Sequence, residues 1–193
     1  AGTLAAGHVP INTNYRYGHE ELAYLFDNAD TTVIVFHGTF TEKIAALREH
    51  LPNVVSFLHV DDGSTPCPEW AVPFSTALAT KPVPLPASSP DDLVMLYTGG
   101  TTGMPKGVIY TNRMWTSNQE MVRQCWQFLE DEPPVILEWL PWNHTFAGSK
   151  DFGMILYNGG TLYLDDGKPV PGAFEETLRN LREVAPTIVL NVP

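Results

Sequence analysis

The chain has 193 residues, 44% of them hydrophobic, and a formal net charge of −11. That apolar content can fill a core, and the length favours one folded domain over a disordered segment. The acidic balance argues against a nucleic-acid surface, which draws its affinity from clustered Lys and Arg, but leaves room for a small anion held by a few local donors.

In chain order, Leu4-Ala5-Ala6-Gly7 reads as the last turn of a helix stopped by glycine. His19 to Ala29 carries Leu22, Leu25, Phe26 and Ala29 at helical spacing, Thr32 to Phe36 reads as a buried strand, and Phe40, Ile44, Leu47 and Leu51 mark a second helix. Val54 to Val60 predicts a second strand. Residues 63–90 lose periodicity and carry seven of the chain's prolines, Pro66 to Pro90, so they read as a connector with one short helix at Phe74 to Ala79. The apolar runs Leu93 to Tyr97 and Val108 to Tyr110 are strands on either side of a Gly-rich loop. Asn112 to Glu130 aligns Met114, Asn118, Met121, Val122, Cys125 and Leu129 on one stripe, predicting a single long amphipathic helix. A strand at Val135 to Leu140, a helical segment around Phe152 to Tyr157, a strand at Thr161 to Leu164, a helix at Ala173 to Val184 and a strand at Thr187 to Val192 complete the series. Strands alternating with helices imply an α/β fold of mostly parallel sheets flanked by helices. The organisation reads as a first α/β portion over 1–62, the connector over 63–90 and a second portion over 91–193. The chain starts without Met and stops at Pro193 after Ile188-Val189-Leu190, so the domain is expected to be incomplete at both ends.

The chemistry concentrates in Tyr97-Thr98-Gly99-Gly100-Thr101-Thr102-Gly103-Met104-Pro105-Lys106-Gly107. Its glycines let backbone N–H groups approach an anion, hydroxyls add hydrogen bonds and one ammonium adds charge. It is not the common P-loop, which needs Gly-Lys followed by Ser or Thr and then a helix; here Pro105 precedes Lys106 and Gly107 follows, between two strands. A hairpin turn normally takes about two to five residues, so this length calls for a ligand. His144 lies just past a strand end, where parallel sheets bind ligands, flanked by Trp142 and Phe146. His37 has no evident partner and reads as structural. Asp61-Asp62, Asp91-Asp92 and Asp165-Asp166 sit at strand boundaries and read as turn carboxylates. Cys67 and Cys125 make neither a metal spacing nor a disulfide framework. No run of about 18 apolar residues and no signal-peptide pattern is present, which makes the cytoplasm the default location.

At these residues a resemblance enters. Asp92 to Thr111 resembles the phosphate-loop signature of the adenylate-forming, or AMP-binding, superfamily. Val9 to Tyr17 with Glu21 to Leu25 is similar to fatty-acyl-CoA synthetases, and Glu138 to Phe146 through Asn158 to Tyr163 is similar to feruloyl-CoA synthetases. The resemblance implies an internal piece of the large N-terminal domain of an ATP-dependent carboxylate–CoA ligase. Such an enzyme works through an acyl-adenylate, with ATP, Mg²⁺ and coenzyme A as cofactors and co-substrate, on an aromatic, hydroxycinnamate-like or fatty acid. It implies that Gly99, Gly100 and Gly103 offer backbone donors and that Thr98, Thr101 and Thr102 offer hydroxyls to the nucleotide. Lys106 would face the leaving pyrophosphate, and Thr98 would also contact the metal. His144 would help to place the carboxylate, in a pocket that Trp142 and Phe146 border. Lys106 and His144 are thus the catalytic candidates. The family's glutamate for Mg²⁺, aspartate for ribose and lysine of a mobile C-terminal domain have no counterpart before Pro193. The piece alone is therefore expected not to complete the reaction, and its missing partner is the rest of the same enzyme. Two other readings stay open: a nucleotide-binding module without chemistry, and the adenylation domain of a carboxylic acid reductase.

Overall fold

The structure, a computed structural model, describes residues 2–98, 103–142, 144–167, 172 and 174–190. Its elements are α1 (Gly2–Ala5), β1 (Ile11–Asn12), α2 (His19–Asn28), β2 (Val33–His37), α3 (Thr41–Leu47), β3 (Ser56–Val60), β4 (Val72–Pro73), α4 (Phe74–Leu78), β5 (Leu93–Thr98), β6 (Lys106–Thr111), α5 (Asn112–Cys125), α6 (Phe128–Asp131), β7 (Val135–Glu138), α7 (Phe152–Asn158), β8 (Thr161–Leu164) and α8 (Phe174–Val184). A π-helical turn, Thr145–Asp151, leads into α7. Strands lie in the orders β1-β5-β6, β2-β3-β4 and β7-β8. The registered pairs β1–β5, β2–β3, β3–β4 and β7–β8 are all parallel, with helices flanking the sheets, as the alternating pattern requires.

The chain forms two compact units: a loop unit of Thr13–Pro86 with Tyr97–Gly107, and a cleft unit of Ala1–Asn12, Ala87–Leu96 and Val108–Pro193. In the loop unit, β2 and β3 pair from Val33↔Ser56 to His37↔Val60. Ile34 and Phe36 point into a core with Leu22, Leu25, Phe26, Ile44, Leu47, Leu51 and Phe57. The period of two turns Val33 and Val35 the other way, and they stay 46% and 53% exposed. The strand expected to be wholly buried is therefore buried on one face only.

The proline-rich stretch holds the expected short helix and, in addition, a strand that its lack of periodicity did not show. It supplies α4 and the edge strand β4, which pairs Leu58↔Val72 and His59↔Pro73; an edge is where a strand tolerates proline. It also sends Trp70 to stack on Phe36 at 5.6 Å and to meet Phe57 edge-on at 5.5 Å, with the Arg48 guanidinium 5.4 Å from the indole.

In the cleft unit, β7 and β8 run in register from Val135↔Thr161 to Glu138↔Leu164. Leu129, Ile136, Met154, Ile155 and Ile188 form its core, with Val122, Trp126, Leu162 and Leu190 packed around them. Three expectations need correction here. The long helix ends at Cys125 rather than Glu130, because Trp126 leaves helical geometry (φ −111°, ψ 72°) and stacks on Phe128 at 6.1 Å, the first residue of α6. Its buried position is Gln119, 1% exposed, whereas Met114 and Met121 of the predicted stripe are exposed. The last strand is reduced to one parallel bridge, Ile188↔Ile136, and 191–193 lie outside the described residues. Among the described residues no helix is long and apolar enough to cross a membrane.

Asp62, just beyond β3, ties the loop unit together by accepting from the Ser64 hydroxyl and N–H and, across the strands, from the Thr39 N–H at 3.1 Å. These bonds, the Ser64 hydroxyl first and the Thr39 N–H second, with a smaller pull from His37, lower its carboxyl from 3.8 to about 2. A carboxylate held below its unfolded value adds stability that is complete above that value and disappears as pH falls through the folded one. Urea midpoints should therefore drop between about pH 4 and pH 2 in the wild type, and Asp62→Asn should flatten that part of the profile.

Candidate active site

In the loop unit, Thr98 ends β5 and Lys106 opens β6, both exposed; Gly103 between them is exposed at φ +118°, a conformation suited to glycine. Gly99, Gly100, Thr101 and Thr102, the centre of the predicted cradle, lie outside the described residues. The loop is pinned on both sides by residues the sequence reading did not single out as anchors. Tyr97 is buried and its hydroxyl donates to Asn28 Oδ1 of α2 at 2.7 Å, and Pro105 is fully buried. Aromatic and proline flanks therefore fix where the loop leaves and rejoins the sheet, while Thr98 and Lys106 keep their polar groups in solvent. None of the ion pairs among the described residues involves Lys106.

In the cleft unit, β7 ends at Glu138 and the chain turns through Trp139, Leu140, Pro141 and Trp142 into the π-helical turn. His144 caps that turn: its N–H donates to Pro141 O at 3.0 Å, its Nδ1 accepts from Phe146 N at 3.2 Å and its carbonyl accepts from Gly148 N at 2.9 Å. A ring nitrogen that accepts carries no hydrogen, so neutral His144 holds its proton on Nε2 and offers that N–H outward. The turn is fastened along its length. Trp142 stacks on Phe152 at 5.3 Å, Ser149 Oγ meets Tyr110 OH at 2.9 Å, and Gln119 Nε2 donates to Ser149 O at 2.9 Å. The Lys150 ammonium sits 4.4 Å over the Phe146 ring and 5.3 Å over Trp126. Gly148 passes so close to the backbone that a Cβ there would fall 2.3 Å from Trp142 O.

An open cleft of about 300 Å³ is lined by Glu138, Trp139, Leu140, Trp142, Leu164 and Asp165. Of the expected pocket residues, Trp142 lines this cleft, while His144 and Phe146 belong to the adjoining turn. Asp165 is an organised turn carboxylate that accepts from Thr177 Oγ1 and Asn180 Nδ2 at 2.7 Å each and from Gly167 N at 3.0 Å. Partial burial raises its carboxyl, but those bonds outweigh burial and leave it below the usual value. The other acidic doublets serve turns as well, Asp92 accepting from Ser89 N at 2.7 Å and Asp91 pairing with Arg113 at 3.2 Å.

Two further acids at this site went unnoticed in the sequence, Glu138 (4% exposed) and Asp151 (1% exposed). Asp151 is pushed up to about 7, by burial first, then by the hydrogen bond and charge of Glu138, against a weaker opposing pull from Lys150. The signal for Glu138 was present, since alternation along β7 places it on the same face as Ile136. Asp151, thirteen residues on, gave none. Among the described residues no group of three or more His, Cys, Asp or Glu is arranged to hold a metal.

The family described as AMP-binding enzyme matches residues 1–193 of the chain. A medium-chain acyl-CoA ligase, Mig, of Mycobacterium avium is 38% identical over 113 residues, which cover 56% of this chain and 20% of that protein. A 3-oxocholest-4-en-26-oate–CoA ligase of Rhodococcus rhodochrous is 30% identical over 169 residues, covering 74% and 30% respectively. The chain thus spans only about a fifth to a third of these relatives' length. The crystal structure of the anthranilate CoA ligase AuaEII with anthranoyl-AMP shares the fold, with a TM-score of 0.76 at 19% identity, over 98% of this chain and 36% of that one.

The close passage at Gly148 makes a direct prediction. Gly148→Ala must push the turn off Trp142, and should lower stability by about 1–3 kcal/mol, read from urea or thermal unfolding.

Proposed function

The chain belongs to the AMP-binding enzyme family, and on that footing we propose that it supplies part of the active site of an ATP-dependent carboxylate–CoA ligase. The observation that carries this reading is the pair of exposed residues Thr98 and Lys106 at the two ends of the glycine-rich loop, each next to a buried anchor, Tyr97 and Pro105. Pinning both flanks orders the approach of donors to a polyphosphate in advance, so that less reorganisation accompanies binding.

The substrate carboxylate attacks the α-phosphorus of ATP, the bond to the pyrophosphate breaks, and the acyl-adenylate forms. Lys106 and the loop hydroxyls and N–H groups take up charge on the departing pyrophosphate. A divalent magnesium ion would add positive charge against the phosphates; Thr98, with one exposed hydroxyl, fits as a single oxygen ligand beside the nucleotide's own. The thiol of coenzyme A then attacks the acyl carbon and AMP leaves, giving the thioester. His144 presents its Nε2–H toward the acid and helps to hold the carboxylate in place.

For the acid, the indoles of Trp139 and Trp142 with Leu140 and Leu164 on the cleft favour a flat aromatic or hydroxycinnamate-like acid. The name of the anthranilate ligase points the same way, and the names of the medium-chain and sterol-acid ligases keep aliphatic acids in the comparison. Because the chain matches only 20% of the medium-chain ligase's length, the complete reaction is assigned to a longer protein that contains this segment.

In that longer protein, ATP–pyrophosphate exchange should depend on added acid, with hydroxycinnamic acids ahead of benzoic and fatty acids. Absence of exchange with every acid would reject the ligase reading. Lys106→Ala should lower exchange on the order of a hundredfold while moving the urea midpoint little, since Lys106 is exposed. The 193-residue chain by itself should form no acyl-CoA.

A further inference from the structure

The Glu138 and Asp151 side chains sit in the cleft unit where the end of β7 meets the end of the π-helical turn, both more than nine-tenths buried. Glu138 Oε1 is satisfied by Leu140 N at 2.7 Å. Glu138 Oε2 and Asp151 Oδ1 are out of solvent and, if both groups are ionised, without any donor. Among the described residues no ion pair joins either of them to a cation. Lys150 is next to Asp151 in sequence, yet its ammonium lies over the Phe146 and Trp126 rings. Arg123 of α5 pairs with Glu130, and Arg179 of α8 with Glu176. Glu120 of α5 is engaged by Tyr157 of α7 and by Gln124. Asp165 at the end of β8 is held by Thr177, Asn180 and Gly167, Asp166 beside it by Asn180, and His144 Nδ1 by Phe146. Two buried carboxylates side by side, each with an orphaned oxygen and neither in an ion pair among the described residues, cannot both stay ionised; one proton between them turns two orphaned acceptors into one bond.

We propose that Glu138 and Asp151 are positioning residues that share a single proton, a latch fastening the turn of His144 and Phe146 to the end of the cleft-lining strand β7. The latch closes the turn at its far end. The near end is closed by the His144 cap, and the middle by the passage of Gly148 over Trp142. Loss of the shared proton leaves two like charges in a buried space and pushes the turn away from β7, so the cleft wall and His144 lose their common support. The latch rests on burial and orphaned acceptors within this unit, and stands whether or not the ligase reading does.

A carboxyl whose folded pKa is raised favours folding most at low pH, and that contribution declines as pH rises through the folded value. Wild-type urea midpoints should therefore fall as pH rises from about 4 toward and through neutrality, with about one proton released per molecule. Asp151→Asn and Glu138→Gln keep shape and supply a permanent donor, and each should flatten that decline. An infrared titration of the wild type needs no variant: a protonated-carboxyl band present at pH 5 should disappear by alkaline pH, and should be absent from Asp151→Asn. Parallel pH profiles for wild type and both variants, or no such band in the wild type, would overturn the latch. So would a rise in wild-type midpoint at pH 8 on adding millimolar Mg²⁺ or Ca²⁺ that Asp151→Asn lacks, since the oxygens would then hold a cation instead of a proton.

Discussion

The alternation of β7 is the constraint on which the cleft unit depends. A strand with a period of two that sends Ile136 into the core must send Glu138 there as well. Parallel pairing to β8 on one side and the bridge to Ile188 on the other leave that strand no freedom to slip, because a one-residue shift would exchange every buried side chain for an exposed one. An acid in a core position needs a partner, and Asp151 answers that need from the end of the turn that begins at His144. The irregular backbone between them follows from having to bring these two acids together while Gly148 crosses Trp142 and Trp142 lies on Phe152. Local irregularity at this site is thus the product of a regular strand.

The loop unit solves a different problem with different means. Where the glycine-rich loop leaves and rejoins its strands is set by the residues that flank it. Tyr97 is tied to the last residue of α2 and Pro105 is packed away, and the polar residues next to each are left facing water. This division of labour sets apolar anchors directly beside the exposed polar residues Thr98 and Lys106. It is also why the loop cannot be understood from its glycines and threonines alone.

Much of this was readable in the sequence wherever a periodic signal met a clear stop. The strand, loop and strand around Thr98 and Lys106, the helix α2, the helix α8 and the strand β8 were all recoverable from spacing. What escaped had no local signature. The break of α5 at Trp126 depends on Phe128 and on Lys150, which lies in another element. The buried face of α5 turns on Gln119, whose polar side chain is acceptable there because Ser149 O receives its amide. The strand β4 is two residues long within a proline-rich stretch and exists because β3 offers it an edge. The adjacent acids read as turn carboxylates and are so, with donors of their own, whereas the buried pair is separated in sequence and joined only by the fold.

The parallel pairing of β1 with β5 bears on the order in which this chain can assemble. Ile11 meets Met95, so the pairing encloses all of the segment 13–86, whereas β2 and β3 enclose only the crossover through α3. The entropy lost on closing a loop grows with the length of chain enclosed, and distant parallel pairings are slow to form. The short crossover is the less costly early contact, and β1 and β5 are the strands whose hydrogen-bonding edges wait longest for a neighbour. During that interval they are open templates for other chains, so the yield of folded protein is set by chain concentration during folding as much as by the stability of the finished molecule.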